Sequence, residues 1–321
     1  MEHDVKEILM VSTPVCSEFT ASKRTENRPT RWAVILAGGD GSRLLPLTRT
    51  ITGDDRPKQF CALAGEETML EQTRRRVSYI VPEPNTLIVV TRTHEPYYQD
   101  ALRDLPSSNL LVQPCNHGTA PAIAYSLARL NAMAPDGLVA FFPSDHHFGD
   151  SEAFAASVGQ AFAHAQGGSE RVLLLGITPE SPEESYGWIE PGACLRRGRS
   201  GDLFEVRRFW EKPSRETAAM LMSAGCLWNS FIMVGRVSAF LKILRSALPA
   251  LIAAFEESLI TRASLDECEI DNIYASVEAG SFSHEVLSTC PRDLAVLPAK
   301  RLGWTDLGEP KRVFAALQGS L

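Results

Sequence analysis

The stretch Trp32-Ala-Val-Ile-Leu-Ala37, followed by Gly38-Gly-Asp-Gly-Ser-Arg-Leu44, decides the fold class. Its first six residues are a continuous apolar run, which is typical of a buried strand in a parallel sheet. Three glycines in the next four positions let the backbone turn sharply, so that its N–H groups can converge on an anion. Arg43 then adds a permanent charge and a planar set of donors suited to phosphate. Neither the Walker lysine pattern nor Gly-x-Gly-x-x-Gly occurs here, which argues against a P-loop NTPase and an ordinary dinucleotide fold.

Further apolar runs alternate with stretches of helical periodicity through the first half of the chain. This alternation predicts an α/β fold, a Rossmann-like mixed, mainly parallel sheet with helices on both faces. In the second half the predicted strands are shorter, and we expect them to extend the same sheet. The predicted strands are 32–37, 86–90, 110–112, 138–142, 172–175, 187–190, 204–210, 227–234 and 294–297, and the predicted helices are 69–80, 120–132, 154–165, 218–222, 237–247 and a short helix from 310.

Composition narrows the class of protein. We divide the chain into a polar N-terminal extension, residues 1–30, and a single domain, residues 31–321. The net charge of -7 argues against nucleic acid as a partner. No stretch resembles a signal peptide or is apolar over a length that crosses a bilayer, so we expect no membrane partner. The seven cysteines are widely spaced and include no Cys-x-x-Cys pair, which favours reduced thiols and a cytoplasmic location.

Two further segments make the nucleotide signal specific. Pro46-Leu-Thr48 and Pro57-Lys-Gln-Phe60 follow the glycine-rich loop. Together with Leu36 to Leu44 they resemble the signature of the sugar-1-phosphate nucleotidylyltransferases, and the Pro-Lys-Gln-Phe ending resembles the mannose-1-phosphate guanylyltransferases in particular. The resemblance implies the nucleotide-diphospho-sugar transferase type of fold over about residues 31–318. It also implies that the triphosphate is bound by the loop and by a lysine, namely Gly38, Gly39, Gly41, Ser42, Arg43 and Lys58.

The segment Gln113-Pro-Cys-Asn-His-Gly-Thr-Ala-Pro-Ala122 is the candidate base-binding element. The Gln113 amide can offer both a donor and an acceptor to a base edge, and Gly118 lets a flat ring approach the backbone. The segment resembles Glu-Pro-x-x-Arg-Asn-Thr-Ala-Pro-Ala of guanylyltransferases, but its Gln-Pro opening is closer to the thymidylyl and uridylyl relatives. The identity of the base therefore stays open.

Two aspartates are the candidate metal ligands. Asp145 lies in Phe142-Pro-Ser-Asp-His146, the segment that ends the apolar run 138–142, and the carboxyl ends of parallel strands are where such sheets bind ligands. It resembles the family aspartate that coordinates Mg²⁺, and Asp306 in Gly303-Trp-Thr-Asp-Leu-Gly308 resembles a second carboxylate near that metal. Relatives often have another acidic residue where this chain has Ser283, and Glu285 is the alternative. A transition metal at His146 and His147 is disfavoured, because nothing else supplies nitrogen or sulfur ligands.

Three segments resemble the family's sugar-binding motifs. They are Tyr186-Gly-Trp-Ile-Glu190, Phe209-Trp-Glu-Lys-Pro213 and Leu227-Trp-Asn-Ser-Phe231, the last with Phe231 where relatives have glycine. The resemblance implies that Gly187 gives the sugar access to the backbone and that Glu211 and Asn229 bind its hydroxyls. Lys212 would neutralise the sugar phosphate. Neighbouring side chains on a strand face opposite ways, so Glu211 and Lys212 can both engage only if the strand ends or twists there.

The implied reaction joins a sugar 1-phosphate to a nucleoside triphosphate with Mg²⁺ as cofactor and releases pyrophosphate. The first choice is GTP with mannose 1-phosphate, giving GDP-mannose. A thymidylyl- or uridylyltransferase acting on glucose 1-phosphate is the runner-up within the class. A non-catalytic nucleotide-sugar sensor is the rival from another class, and the joint presence of Arg43, Lys58, Asp145, Lys212 and Asp306 argues against it.

Overall fold

The computed structural model describes residues 29–63, 65–198, 200–260 and 265–318. The N-terminal extension lies outside them except for residues 29 and 30, so the division at residue 30 remains a prediction. No helix in these ranges combines the length and the apolar character that a membrane crossing requires. The helices are α1 (Leu45–Thr52), α2 (Met69–Ser78), α3 (Glu95–Tyr98), α4 (Thr119–Met133), α5 (Ser151–Gln166), α6 (Arg215–Ser223), α7 (Val237–Ala247), α8 (Pro249–Ile260), α9 (Glu267–Ser276) and α10 (Pro310–Gln318).

A nine-stranded mixed sheet forms the centre of the described structure, and both halves of the chain contribute to it. Its strands are β1 (Arg31–Leu36), β2 (Thr86–Thr91), β3 (Leu110–Gln113), β4 (Leu138–Pro143), β6 (Val172–Ile177), β7 (Gly187–Arg196), β8 (Leu203–Glu211), β9 (Leu227–Arg236) and β10 (Leu294–Ala299), and a separate short pair joins β5 (His147–Phe148) to β11 (Trp304–Thr305).

The strand order in the sheet is β3-β2-β1-β4-β9-β6-β10-β8-β7. The pairs β1–β2, β1–β4, β2–β3 and β6–β10 are parallel, whereas β8 and β9 run antiparallel to their neighbours. Most strands therefore point the same way, which confirms the predicted mixed, mainly parallel sheet. The carboxyl ends of β1, β3 and β4 meet at one edge.

Helices cover both faces of the sheet, as the sequence predicts. Successive residues of β1 face opposite sides of the sheet, so that Val34 packs into one apolar core and Ile35 into the other. Side chains of α4, α7, α8 and α9 complete the first core. Side chains of α2, α5 and α6 complete the second. Burial on both sides explains why these strands read as continuous apolar runs.

Candidate active site

A cleft of about 400 Å³ opens at the edge where β1, β3 and β4 end. Its walls also include the start of β7, the end of β8, the middle of β9 and the turn after β11. Residues distant in sequence thus converge because the strands that carry them are neighbours in the sheet. The predicted site residues that line the cleft are Gly38, Gly39, Gly41, Gln113, Gly118, Asp145, Gly187, Glu211, Asn229 and Asp306.

The structure places the other predicted residues differently. Ser42 and Arg43 are exposed on the short 3₁₀ turn that follows Gly41, and they are outside the cleft walls. Lys212 is also exposed, with 62% of its side chain accessible. Their predicted contacts with phosphate remain predictions. Lys58, in contrast, is 5% exposed and is not part of the cleft lining, but its ammonium group lies directly behind Asp145 and Asp306, which form the floor of the cleft.

The Lys58 ammonium connects the two candidate metal ligands. Its Nζ lies 2.9 Å from Asp145 Oδ2 and donates to the carbonyl oxygen of Asp306 over 2.5 Å. Burial alone would raise the pKa of the Asp145 carboxyl, but the charge of Lys58, joined in acid by that of protonated His146, outweighs burial and holds that pKa below its ordinary value. The cleft floor therefore carries an ionised carboxylate already paired with a buried cation.

Arg312, which sequence reasoning missed, holds Asp306. Its guanidinium donates to Asp306 Oδ1 over 2.7 Å, to Glu183 over 2.6 Å and to Ser185 over 2.8 Å, and it lies over the ring of Tyr186. Asp306 Oδ1 also accepts from the Tyr186 hydroxyl and from the Gly308 N–H. This arrangement fixes the carboxylate in position. No local sequence pattern distinguishes Arg312 from a surface cation on α10.

The pKa of Asp306 also lies below its ordinary value. Burial opposes this, but His146 in the protonated form that it takes in acid, the Gly308 N–H and Arg312 together outweigh burial. His146 itself is buried, which lowers its pKa. Because the Trp304 indole is always a donor, the 3.2 Å bond from its Nε1 makes His146 Nδ1 an acceptor. A neutral histidine engaged in this way positions the Asp145 turn and has no free Nδ1 for a metal.

The donor set of the cleft suits Mg²⁺. In the ranges that the structure describes, no group of three or more His, Cys, Asp or Glu side chains is arranged to hold a metal ion. Mg²⁺ does not need such a cage, because it commonly binds one or two carboxylates and completes its shell with phosphate oxygens and water. Asp145 and Asp306 offer two ionised carboxylates in one cleft, and this hard oxygen set fits that mode of binding.

At the end of the cleft where the sequence predicts nucleotide binding, Gln113 is held by a residue that the sequence did not suggest. The Tyr274 hydroxyl of α9 donates to Gln113 Oε1 over 2.7 Å, and both side chains are buried. A β-carbon on Gly38 would overlap Gln113 Nε2, so glycine is needed there for the amide to fit. The bond to Tyr274 turns the amide oxygen toward α9, so the N–H groups are the part of the amide that lies beside Gly38.

The backbone itself requires glycine at position 118, in addition to any access that Gly118 gives to a flat ring. Its φ of +85° lies in the region that favours glycine, and a β-carbon would overlap the carbonyl oxygen of Gly280. That carbonyl accepts from the N–H of Ala120, which ties the start of α4 to the segment before residue 283. Ser283 lines the cleft at the start of a π-helical turn, whereas Glu285 packs beside Gly280 and is outside the cleft walls.

The sugar-binding candidates line the opposite end of the cleft. β8 ends at Glu211, and Lys212 follows with a φ of +45°. The strand therefore ends between these two residues, as it must if both side chains are to engage the same ligand. Burial raises the pKa of Glu211 despite the neighbouring Lys212 ammonium. Asn229 Oδ1 accepts from the Phe231 N–H, which leaves its amide N–H groups for a ligand. Phe231 has a φ of +61°, which explains why relatives place glycine there.

Comparison with known proteins identifies the family. A family model described as nucleotidyl transferase matches residues 32–320, which include the whole cleft. The chain belongs to the nucleotidyl transferase family. The resemblance seen in the sequence motifs is thus confirmed at the level of the family.

Curated relatives of this nucleotidyl transferase include two bacterial proteins. Mannose-1-phosphate guanylyltransferase ManC of Salmonella typhimurium is 32% identical over 286 residues, covering 86% of this chain and 57% of that protein. Xanthan biosynthesis protein XanB of Xanthomonas campestris is 33% identical over 280 residues, again covering 86% of this chain and 57% of that protein. The chain thus spans a little over half the length of these relatives.

Solved structures share the fold. The structure described as mannose-1-phosphate geranyltransferase from Thermus thermophilus aligns with a TM-score of 0.76 at 29% identity, covering 89% of this chain and 79% of that one. Mannose-6-phosphate isomerase from Helicobacter pylori aligns with a TM-score of 0.65 at 22% identity, covering 86% and 99%. The second likeness shows the fold alone. The first likeness agrees with the nucleotide-diphospho-sugar transferase type predicted from the motifs.

Proposed function

We propose that this nucleotidyl transferase is a mannose-1-phosphate guanylyltransferase, which forms GDP-mannose and pyrophosphate from GTP and mannose 1-phosphate. The observation that carries the proposal is the buried Lys58 ammonium, bound between Asp145 and Asp306 on the floor of the cleft. The glycine-rich loop lies at one end of that cleft and Gly187, Glu211 and Asn229 at the other. The relatives' names support GTP and mannose 1-phosphate as the pair of substrates.

The proposed reaction is an in-line attack. An oxygen of the sugar phosphate forms a bond to the α-phosphorus of the triphosphate, and the bond to the pyrophosphate oxygen breaks. Two anions must approach each other, so the protein's task is alignment and neutralisation of charge rather than covalent catalysis. We assign this task to Arg43, Lys58 and Lys212, with Gly38, Gly39, Gly41 and Ser42 around the triphosphate.

Asp145 and Asp306 are the proposed ligands of Mg²⁺. When bound, Mg²⁺ supplies further neutralisation of the phosphate charge. The carboxylates are suited to hold it because both stay ionised at neutral pH. Arg312 keeps Asp306 in place, and His146 with Trp304 keeps the Asp145 turn in place.

The other end of the cleft is assigned to the sugar. Gly187 admits the ring to the backbone, and Glu211 accepts hydrogen bonds from sugar hydroxyls. Asn229 donates to them through its free amide N–H groups. Reduced thiols support a cytoplasmic site of action, since Cys61, Cys226 and Cys290 are buried and form no disulfide within the part of the chain that the structure describes.

A thymidylyl- or uridylyltransferase is the second candidate. The specific observation in its favour is Gln113, whose amide replaces the glutamate carried by guanylyltransferases. An amide donor suits the carbonyl oxygens of thymine and uracil as well as that of guanine.

A substrate panel tests the proposal. Purified protein is supplied with four nucleoside triphosphates and with mannose, glucose and N-acetylglucosamine 1-phosphates in turn, and the initial rate of pyrophosphate release is measured. We expect the highest rate with GTP and mannose 1-phosphate. A strict preference for dTTP or UTP would show that the base is thymine or uracil instead of guanine and would leave the proposed reaction intact. The absence of pyrophosphate with every pair would refute the reaction itself.

A further inference from the structure

Tyr274 lies far from Gln113 in the sequence, and α9 brings its hydroxyl group to the nucleotide end of the cleft. Tyr274 is 1% exposed and Gln113 is 2% exposed. The 2.7 Å bond between the Tyr274 hydroxyl and Gln113 Oε1 is therefore shielded from water. Burial raises the pKa of Tyr274, so the phenol keeps its proton and remains a donor.

The other half of the amide faces Gly38 and the cleft. Within the described residues, Gln113 Nε2 makes no hydrogen bond, although the residue lines the cleft wall. Thr91 Oγ1 lies on the same side of Gly38 and donates its proton to the Gly38 carbonyl oxygen. Thr91 therefore has no proton left to donate to an amide oxygen on this side of Gly38.

We propose that Tyr274 is a positioning residue for base selection, which turns the Gln113 amide so that only its N–H donors face the nucleotide. A base is then accepted when it presents a carbonyl oxygen to Gln113, as guanine, uracil and thymine do. Adenine and cytosine present an amino group at the corresponding position, and two donors facing each other leave both without a partner. The inference rests on the proposed function only in taking this end of the cleft as the base site.

Equilibrium binding tests the inference apart from catalysis. The full chain is titrated calorimetrically with GTP, UTP, ATP and CTP in magnesium buffer without sugar phosphate. We expect GTP and UTP to bind at least about tenfold more tightly than ATP and CTP, the ratio expected from one unmade hydrogen bond. Equal binding of ATP and GTP would overturn the inference.

Tyr274→Phe removes the hydroxyl and lets the amide rotate. The ratio of GTP to ATP affinity should fall about tenfold toward one. Tyr125→Phe is the matched control, because Tyr125 is also buried and also packs against Phe255. Its affinity ratio should equal that of the wild type. An unchanged ratio in Tyr274→Phe refutes the role of the hydroxyl.

A second variant covers the case in which Tyr274→Phe fails to fold. Gln113→Met removes the amide and should also reduce the affinity ratio about tenfold. A wild-type ratio in Gln113→Met would refute the role of the amide. The wild-type protein separates the two proposals. If it binds nucleotides with base selectivity but releases no pyrophosphate, the proposed reaction alone is contradicted. If it releases pyrophosphate but binds all four nucleotides equally, this inference alone is contradicted.

Discussion

Replacing Lys58 by methionine removes the cation on the cleft floor while keeping a chain of similar length. The wild-type ammonium pairs with Asp145 over 2.9 Å and donates to the Asp306 carbonyl over 2.5 Å. Breaking a fully buried ion pair costs about 3–5 kcal/mol. The Asp145 side chain is 34% exposed, so water offsets part of that loss. We expect the free energy of unfolding to fall by about 2 kcal/mol.

Urea unfolding in EDTA measures this change. With a denaturant slope of about 3 kcal/mol/M, the unfolding midpoint should move down by about 0.7 M. Lys242→Met is the matched control, because Lys242 pairs with Asp293 over 2.7 Å but its side chain is 64% exposed. An exposed pair contributes little to stability, so its midpoint should move by no more than about half as much.

Magnesium and activity complete the test of Lys58. Mg²⁺ should reduce the difference in stability between Lys58→Met and wild type, since a second cation can compensate the unpaired carboxylate. The rate of pyrophosphate release should fall by at least about a hundredfold, as expected when one charged group is lost from a charge-neutralising site. A rate within about threefold of wild type, or a midpoint equal to that of the Lys242 control, would refute the reasoning.

Three more predictions follow from the site. Arg43→Lys keeps the charge but loses the planar arrangement of donors, so the rate of pyrophosphate formation should fall about ten- to a hundredfold. A fall of less than about threefold would show that Arg43 does not bind the triphosphate. Asp145→Asn and Asp306→Asn should each shift the magnesium titration of the rate to higher concentration, whereas Ser283→Ala should leave it unchanged; a wild-type magnesium curve for Asp306→Asn would disprove the two-aspartate site. Burial raises the pKa of Glu211, so its carboxylate becomes protonated at a higher pH than an ordinary glutamate. The KM for sugar phosphate should therefore rise as the pH falls from 7 toward 5, and should rise less steeply in Glu211→Gln, which has no charge to lose; parallel pH profiles for the two proteins would contradict this assignment.

The elements that carry the cleft could be predicted because their sequence signals are local. The apolar run of β1 and the glycines after it occupy adjacent positions, and β4 ends directly before the Asp145 turn. Helices α1, α3, α8 and α9 were missed, although α8 and α9 each have a start signal. Pro249 is the first residue of α8, and Asp266 forms a capping box with Glu269 at the start of α9.

The contacts that position the site could not be predicted, because they join distant parts of the chain. Tyr274 is separated from Gln113 by 161 positions, and Lys58 from Asp306 by 248. A buried lysine looks in sequence like a solvated one, and Arg312 looks like any cation on the exposed side of a helix. Only the order of strands in the sheet and the packing of α9 and α10 bring these residues together.

The route of the oxygen atoms tests the proposed reaction most directly. Mannose 1-phosphate labelled with ¹⁸O in its phosphate is incubated with GTP, magnesium and the purified protein, and the products are separated and analysed by mass spectrometry. Attack by the sugar phosphate on the α-phosphorus predicts that GDP-mannose retains the label and that the released pyrophosphate is unlabelled. Label in the pyrophosphate, or pyrophosphate without a matching amount of GDP-mannose, would contradict the account.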